Sequence, residues 1–381
     1  MTSIYLDHAA STPVHPEVAQ EMLNVMTGTY GNASSVHGFG RAAKRIVSGA
    51  RDLMAAKLGC HPNELVFTAG GTESDNMALF GVAEAMKEKG RHIITSSIEH
   101  HAVLHACEAL EKRGYEVTYL PVDPQGRVGL DELRAAIRPD TILISIMFGN
   151  NEVGTLQPIR EIGELAQEQG ILFHTDAVQA LGGVAINCHE LPVDLMSFSA
   201  HKINGPQGIG ALYVRQGTRL EPLLHGGLQE RKRRAGTENL AGIAGFGKAV
   251  ELATDKLEER TTSLHQLRAA FIAELTEQAG RDAFVINTPL EQSLPHILNM
   301  SFPGITSETM LMNLDMQQIA AASGSACTSG SLELSHVLQA MNLPENVQQS
   351  AIRFSFGLGN TTEEIEQTAQ KIATILKRLR K

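Results

Sequence analysis

Asp176 closes the apolar run Phe173-His174-Thr175-Asp176, and Lys202 follows Leu195-Met196-Ser197-Phe198-Ser199-Ala200-His201. Each run reads as a short strand that delivers one ionisable group at its end. An acid followed by a lysine about 25 residues later, each after a strand, is an arrangement that holds pyridoxal 5′-phosphate (PLP). The lysine forms a Schiff base with the aldehyde, and the acid keeps the ring nitrogen protonated so that the ring draws electrons. Taken alone the spacing is a weak signal, because a lysine at a strand end is commonly a solvated surface group. Its company strengthens it, above all Cys327 in a loop of serines and glycines at 323–330.

Four further constellations carry chemistry. Thr68-Ala69-Gly70-Gly71-Thr72-Glu73-Ser74 follows a strand pattern and opens a helix pattern, so its first-turn amides suit a phosphate, although a plain glycine turn has the same composition. His100 lies just past the predicted strand His92–Ser97, where an imidazole can cover a flat ring and shuttle a proton, or simply end a strand. Gly149-Asn150-Asn151-Glu152-Val153-Gly154 offers asparagines that orient a carboxylate or a ring hydroxyl, or that make a turn. Arg353, inside the apolar run Ala351-Ile352-Arg353-Phe354, needs an anion, either a substrate carboxylate or a structural ion-pair partner. Cys327 differs from a structural cysteine, which normally sits among large apolar neighbours. Small hydroxylic residues on both sides leave its thiol accessible as a nucleophile.

The elements that must position these residues alternate. Strand patterns cover Glu64–Ala69, His92–Ser97, Glu116–Val122, Thr141–Phe148, Ile171–Thr175, Leu195–Ser199 and Gly210–Val214. Amphipathic stretches at 73–88, 102–113, 129–137 and 157–169 lie between the early ones. This order implies an α/β fold with a mainly parallel sheet covered on both faces, and ligands in such sheets bind beyond the carboxyl ends of the strands. Thr72, His100, Asn151, Asp176 and Lys202 all fall at or just after a predicted strand end. The pattern then changes. Residues 240–279 read as one or two helices bridging to a smaller lobe, with strands at Val285–Asn287 and Ile297–Phe302 and a final charged helix, Thr362–Arg380.

Composition excludes several classes. The chain has 381 residues, 43% of them hydrophobic, enough for one large core and a smaller second lobe. The first residues lack a signal-peptide pattern, and no apolar stretch approaches the ~18 residues that span a bilayer. A net charge of −10 argues against a general nucleic-acid surface; Arg231-Lys232-Arg233-Arg234 is a local basic exception, read as a solvated loop, a subunit contact or an anion site. The four cysteines, Cys60, Cys107, Cys188 and Cys327, are far apart in sequence, which argues against a zinc ribbon or disulfide framework and fits a reducing cytosol. His100, His101 and His105 lack the accompanying pattern of a metal site.

Together these motifs closely resemble the cysteine desulfurases, class V aminotransferase-type sulfur donors of nitrogen fixation and iron–sulfur cluster assembly. The resemblance runs from Tyr5-Leu6-Asp7-His8-Ala9-Ala10-Ser11-Thr12-Pro13 and Gly31-Asn32-Ala33-Ser34-Ser35 through Gly71–Asn76, Glu99-His100, Asn150–Glu152, Asp176–Gln179 and His201-Lys202. It ends with Arg233–Asn239, the Ser323–Ser329 loop and Arg353. The long cysteine loop is similar to that of the first desulfurase group, and Gly226–Asn239 to the nitrogen-fixation-type branch. The sequence departs from the family's common pattern at His8, Ala200 and Gly71.

The resemblance implies aminotransferase fold type I. A large domain, 15–258, would hold a seven-stranded sheet in an α/β/α sandwich; residues 1–14 and 259–381 would form a small α+β domain carrying the catalytic cysteine. It implies PLP on Lys202, which also moves the substrate's α-proton, Asp176 at the ring nitrogen, Gln179 at the ring hydroxyl and His100 over the ring. Gly71, Thr72, Ser199 and His201 would hold the phosphate, with Thr237 reaching over from a second subunit. Asn32, Asn151 and Arg353 would bind substrate, Asn151 also bordering the cofactor. Cys327 would take sulfur from L-cysteine as a persulfide, leaving L-alanine. A cytoplasmic homodimer that serves an iron–sulfur scaffold or a tRNA-thiolation enzyme follows, with no metal, no membrane and no direct nucleic-acid contact. Rival readings are a selenocysteine lyase, another PLP enzyme of the same fold, or a docking scaffold without catalysis. The sequence leaves the acceptor and the choice between cysteine and selenocysteine open.

Overall fold

The computed structural model describes residues 3–324 and 334–380. The main sheet has seven strands, numbered with the rest of the chain: β2 (Leu65–Thr68), β3 (His92–Ser96), β4 (Glu116–Leu120), β5 (Thr141–Ser145), β6 (Leu172–Asp176), β7 (Leu195–Ser199) and β8 (Gly210–Val214). β1 (Ile4–Tyr5) precedes them. Their spatial order is β2-β8-β7-β6-β5-β3-β4. β8 runs antiparallel to both β2 and β7, and the remaining pairs are parallel. The other six strands therefore point the same way, and their carboxyl ends share one edge. β3, β5, β7 and β8 are buried along their whole length, as expected of strands covered on both faces. The antiparallel β8 is the one departure from parallel pairing in this sheet. It lets bare backbones meet: a Cβ on Gly210 would lie 2.7 Å from Gly70 Cα. That close approach fixes the turn after β2 against the sheet.

The expected strands are present: Leu195–Ser199 and Gly210–Val214 keep their bounds, β6 is shifted by one residue, and β2 to β5 are shorter. The predicted Thr141–Phe148 run leaves its ladder at Ser145, although Ile146 and Phe148 still donate to His174 and Asp176 carbonyls at 3.1 and 2.8 Å. These bonds steer the chain across the end of β6 and place the Asn150–Glu152 turn above the sheet. Two helices that sequence periodicity left unassigned, Pro16–Gly28 and Gly38–Leu58, pack against Leu240–Asp255. The 240–279 segment is two helices, Leu240–Asp255 and Leu257–Ala279, broken at Lys256.

A second core gathers Ile4 and Leu6 with Phe271, Leu298, Met300, Phe354, Phe356 and Ile372. Around it lie β9 (Val285–Ile286), β10 (Ile297–Ser301) and β12 (Ala351–Ser355) in an antiparallel sheet of order β12-β10-β9, and the helices Leu257–Ala279 and Thr362–Leu379. The last helix starts with a Thr361–Glu364 capping box, which satisfies its first free amides. β1 pairs in parallel with β11 (Ile319–Ala320). The chain then passes from this core to the main sheet: Ala9 N donates to Ser355 Oγ at 2.8 Å, and Thr12 N to the His201 carbonyl at 3.0 Å. Residues 4–12 thus strap the second core to the end of β7, where Lys202 sits.

Candidate active site

The carboxyl edge of the main sheet collects the predicted residues. Asp176 is the last residue of β6 and Lys202 follows β7 in a short turn, so adjacent parallel strands bring them together. Asp176 is 6% exposed, and its Oδ1 accepts the Val178 amide at 2.9 Å. Burial raises its carboxyl to about 6, opposed by the Val178 hydrogen bond and by the charge of Lys202. Lys202 Nζ donates to the carbonyls of Ala9 at 2.6 Å and Ala10 at 2.8 Å. Gln179 Nε2 donates to the same Ala9 carbonyl at 2.8 Å, so one backbone oxygen ties the lysine to the glutamine.

His100 caps the helix His101–Glu111, its Nδ1 accepting the Ala102 amide at 3.1 Å. That bond leaves the proton of the neutral ring on Nε2. Burial first, then the charge of Lys202, lowers His100 to about 4, so the ring is neutral at physiological pH. His201, hydrogen-bonded to Ser11 Oγ at 3.2 Å, is likewise lowered to about 4, by burial and then by Lys202.

Beside this group a cavity of about 630 Å³ is lined by Gly70, Gly71, Thr72, Ser199, His201 and Ser11, among others. The helix Gly71–Met86 begins in its wall and presents first-turn amides that have no helical acceptor. Glycine keeps the cradle open: a Cβ on Gly71 would lie 2.7 Å from Val178 Cγ2, which would have to move. Such a pocket, with helix amides, hydroxyls and a neutral histidine, fits a phosphate. Buried Asp176 beyond it fits a ring nitrogen cation, and Lys202 lies within reach of both.

The Asn150–Glu152 turn resolves into two functions. Asn150 is structural: its Oδ1 accepts the Glu152 and Val153 amides at 2.8 and 2.9 Å, and its Nδ2 donates to the Ile98 carbonyl at 3.0 Å. Asn151 projects from the turn so built, half-buried, and its carbonyl accepts Arg353 Nη1 at 2.9 Å. Arg353, 4% exposed on β12, also donates from Nη2 to Asp7 Oδ1 at 3.0 Å. Its buried Nε has no partner among the described residues. The ion-pair reading of Arg353 is realised: Asp7 and the Asn151 carbonyl aim the guanidinium, and its Nε is left without a protein partner among the described residues.

Cys327 lies outside the described residues, but the flanks of 325–333 are placed. Ser335 Oγ donates to Glu152 Oε2, and a Cβ on Gly324 would collide with the same carboxylate. Glu152, next to Asn151, thus holds both roots of the cysteine segment beside the site. His336 Nε2 is hydrogen-bonded to the Glu99 carbonyl at 3.0 Å, adding a second tie next to His100. Asn32 and Thr237 are exposed and are not among the residues lining the phosphate cavity. Asn32 Oδ1 accepts the Ser34 amide at 2.8 Å in a local turn. Thr237 follows a segment in which Glu230, Arg231 and Lys232 all have positive φ, a strained backbone held by buried Glu230 on Arg51 and on the Phe67 amide. Of the departing positions, His8 is buried, lowered to about 4 chiefly by burial, and Ala200 lies in the core.

Sequence reasoning missed the layer behind the site. Asp75 and His174 are both buried, Asp75 Oδ1 lying 3.6 Å from His174 Nε2. His174 is hydrogen-bonded to Ser145 Oγ at 2.8 Å and to Ser197 Oγ at 3.0 Å. Burial, then the neighbouring Asp176 charge, raises Asp75 well above the carboxylate range, and burial lowers His174 to about 3. Both shifts favour the neutral form of each group. Strand alternation offered a signal for half of it, since His174 and Asp176 are two apart and share a face of β6. Glu99, fully buried and raised to about 8 by burial, and Asp7, the partner of Arg353, were also missed.

The family model for aminotransferase class-V matches residues 4–368. The chain belongs to the class-V aminotransferase family. Its relatives within that family are cysteine desulfurases: the cysteine desulfurase IscS of Methanosarcina thermophila is 51% identical over 99% of this chain and 93% of its own. That of Dictyoglomus turgidum is 48% identical over 99% and 95%. Among solved structures, a NifS-like protein covers 99% of this chain and 100% of its own with a TM-score of 0.93 at 39% identity. SspA in complex with cysteine covers 93% and 99% with a TM-score of 0.83 at 37% identity. The class-V aminotransferase fold therefore accounts for the mainly parallel seven-stranded sheet and the strand-end site, and the chain is an enzyme of the desulfurase branch.

Proposed function

We propose that this chain is a PLP-dependent cysteine desulfurase that converts L-cysteine to L-alanine and passes the sulfur to Cys327 as a persulfide. One observation carries the reading: Asp176 and Lys202 close adjacent strands beside a glycine-built anion cradle, with Arg353 held ready on the opposite lobe. When bound, PLP supplies an electron sink for charge developing at the substrate's α-carbon. Gly71, Thr72, Ser199 and His201 hold the phosphate, Asp176 the ring nitrogen, Gln179 the ring hydroxyl, and neutral His100 covers the ring.

The chain's own residues do the rest. Arg353 Nε and Asn151 bind the substrate carboxylate, fixing the α-carbon near Lys202. Lys202 takes the α-proton and returns one to the product. The Cys327 thiolate attacks the substrate sulfur; the sulfur–carbon bond breaks, its electron pair stays on the β-carbon, and protonation there gives alanine. Atoms balance: one cysteine and one thiol give one alanine and one persulfide. Glu152 sets Gly324 and Ser335, the residues that flank the Cys327 segment, beside the site.

A homodimer would cover the exposed apolar side chains Met26, Tyr30, Val36, Phe39 and Leu228. Thr237 would then reach the partner's phosphate site. A protein acceptor, an iron–sulfur scaffold or a tRNA-thiolation enzyme, would take the persulfide sulfur in the cytoplasm. No helix among the described residues is long and apolar enough to cross a membrane. The test is mass spectrometry of the loaded enzyme after L-cysteine. The Cys327 peptide should gain ~32 Da, one sulfur atom carried by the nucleophile, and Cys327→Ser should release no sulfide with reductant. Sulfur on another cysteine, or full sulfide release by Cys327→Ser, would overturn the reading.

A further inference from the structure

We propose that Cys60 and Cys188 are an oxidisable dithiol, a modification site apart from the cofactor cleft, that closes to an intrachain disulfide by exchange with small-molecule disulfides. The two lie far apart in sequence but side by side in the fold. Cys60 follows Gly59, the left-handed cap (φ 63°) of the helix Gly38–Leu58. Cys188 N donates to the Leu58 carbonyl at 2.8 Å, and His189 N to the Gly59 carbonyl at 3.2 Å. These two bonds lay Cys188 against the residues that immediately precede Cys60. The segments are closely packed, since a Cβ on Gly59 would collide with the Asn187 side-chain amide. Both are free thiols here, and Cys60 acts on the Cys188 thiol to help raise it.

The environment separates their roles. Cys188 is fully buried, and the Cys60 hydrogen bond and burial raise its thiol well above the usual range. Cys60 is partly exposed and is the one an outside reagent meets. Each cysteine is followed by a histidine, and the His61 and His189 rings lie 5.1 Å apart. His189 Nε2 is hydrogen-bonded to Glu64 Oε2 at 2.7 Å, so an imidazole backed by a carboxylate stands beside the pair to take a thiol proton. The exchange balances. The Cys60 thiolate attacks one sulfur of a disulfide RSSR; that bond breaks, RS⁻ leaves with the Cys60 proton as RSH, and a mixed disulfide remains. The Cys188 sulfur then attacks Cys60 Sγ, its proton leaving with the second RSH. Two thiols lose two electrons and one RSSR becomes two RSH. The product ties the end of the helix Gly38–Leu58 to the loop before β7.

The test uses the wild-type protein, oxidised with graded ratios of oxidised to reduced glutathione, quenched with a thiol alkylator and mapped by non-reducing peptide mass spectrometry. The expected result is a cross-link between the Cys60 and Cys188 peptides, ~2 Da lighter than their sum, formed without denaturant and reversed by reductant. Cys60→Ser should abolish the cross-link and leave the Cys188 peptide without a glutathione adduct, whereas Cys188→Ala should stop at a glutathione adduct on the Cys60 peptide, ~305 Da heavier. Closing so long a loop should also raise the unfolding temperature of the oxidised wild type by about 5 °C and leave oxidised Cys60→Ser unchanged. A wild type that stops at the Cys60 adduct, or one that cross-links only after unfolding in urea, would overturn the proposal.

Discussion

Replacing Arg353 by alanine tests the substrate end of the site most directly. The side chain is 5% exposed, spends Nη1 on the Asn151 carbonyl and Nη2 on Asp7, and keeps a buried Nε without a protein partner. A substrate carboxylate accepting from it gains a charge-assisted hydrogen bond in a nearly dry setting. Loss of such a partner costs ~2–4 kcal/mol, and at ~1.4 kcal/mol per tenfold KM for L-cysteine should rise between ~30-fold and several hundred-fold. The contact is the same in ground and transition states, so kcat should stay within ~3-fold. Asp7 sharpens the expectation. In Arg353→Ala its carboxylate, 21% exposed, loses its cation and faces the incoming carboxylate, so adding Asp7→Asn should recover part of the lost affinity. Arg353→Lys keeps the charge but not the fork, and should fall between wild type and alanine. Steady-state alanine formation gives both constants, and cofactor absorbance gives a separate check that the site is still loaded. An unchanged KM, or a large fall in kcat at constant KM, would refute the carboxylate role and leave Arg353 as Asp7's structural partner.

Lys202→Ala should purify without the yellow absorbance of a covalently held cofactor, and borohydride should fix no cofactor to it; retention of a reducible linkage would move that lysine elsewhere. Glu152→Gln weakens the tie to Ser335, so cofactor absorbance should be normal while persulfide formation on Cys327 slows by ~3- to 30-fold, the worth of one buried hydrogen bond; equal rates would remove Glu152 as the tether. Glu99 gives a pH test. Its folded value of about 8 lies above the ordinary 4.5, so the folded state keeps a proton that the unfolded chain has released. The resulting stability is complete below pH ~4.5 and is lost as pH rises through 8, at a slope of up to ~1.4 kcal/mol per pH unit. Glu99→Gln should flatten the melting temperature between pH 5 and pH 8 relative to wild type, and parallel curves would show that Glu99 ionises normally.

How much of this was legible in the sequence depends on range. The strand runs could be read because parallel strands buried on both faces leave unbroken apolar stretches, as in Ile93–Ile94 and Leu143–Ile144. Asp176, Lys202, His100 and Gly71 could be read because the carboxyl end of a strand is a fixed place relative to its own residues. The helices Pro16–Gly28 and Gly38–Leu58 escaped notice: histidine caps and a glycine-rich start mask their periodicity, which packing on Leu240–Asp255 makes good.

By itself the sequence determined the alternation of elements, the residue types at strand ends, and through its motifs the class-V aminotransferase family and its desulfurase branch. All of these rest on local pattern, which the chain carries wherever it folds. Tertiary structure alone decided which distant residues meet. It set Asp7 on Arg353, Asp75 and His174 behind Asp176, Glu152 under both roots of the cysteine segment, and Cys60 beside Cys188. Spacing along the chain holds no record of these pairs, because each depends on how two separately folded segments are laid together. The pKa values follow the same division. Burial is the first cause of the shifts at His100, Asp176, Asp75 and Glu99, and burial exists only once the surrounding core has closed.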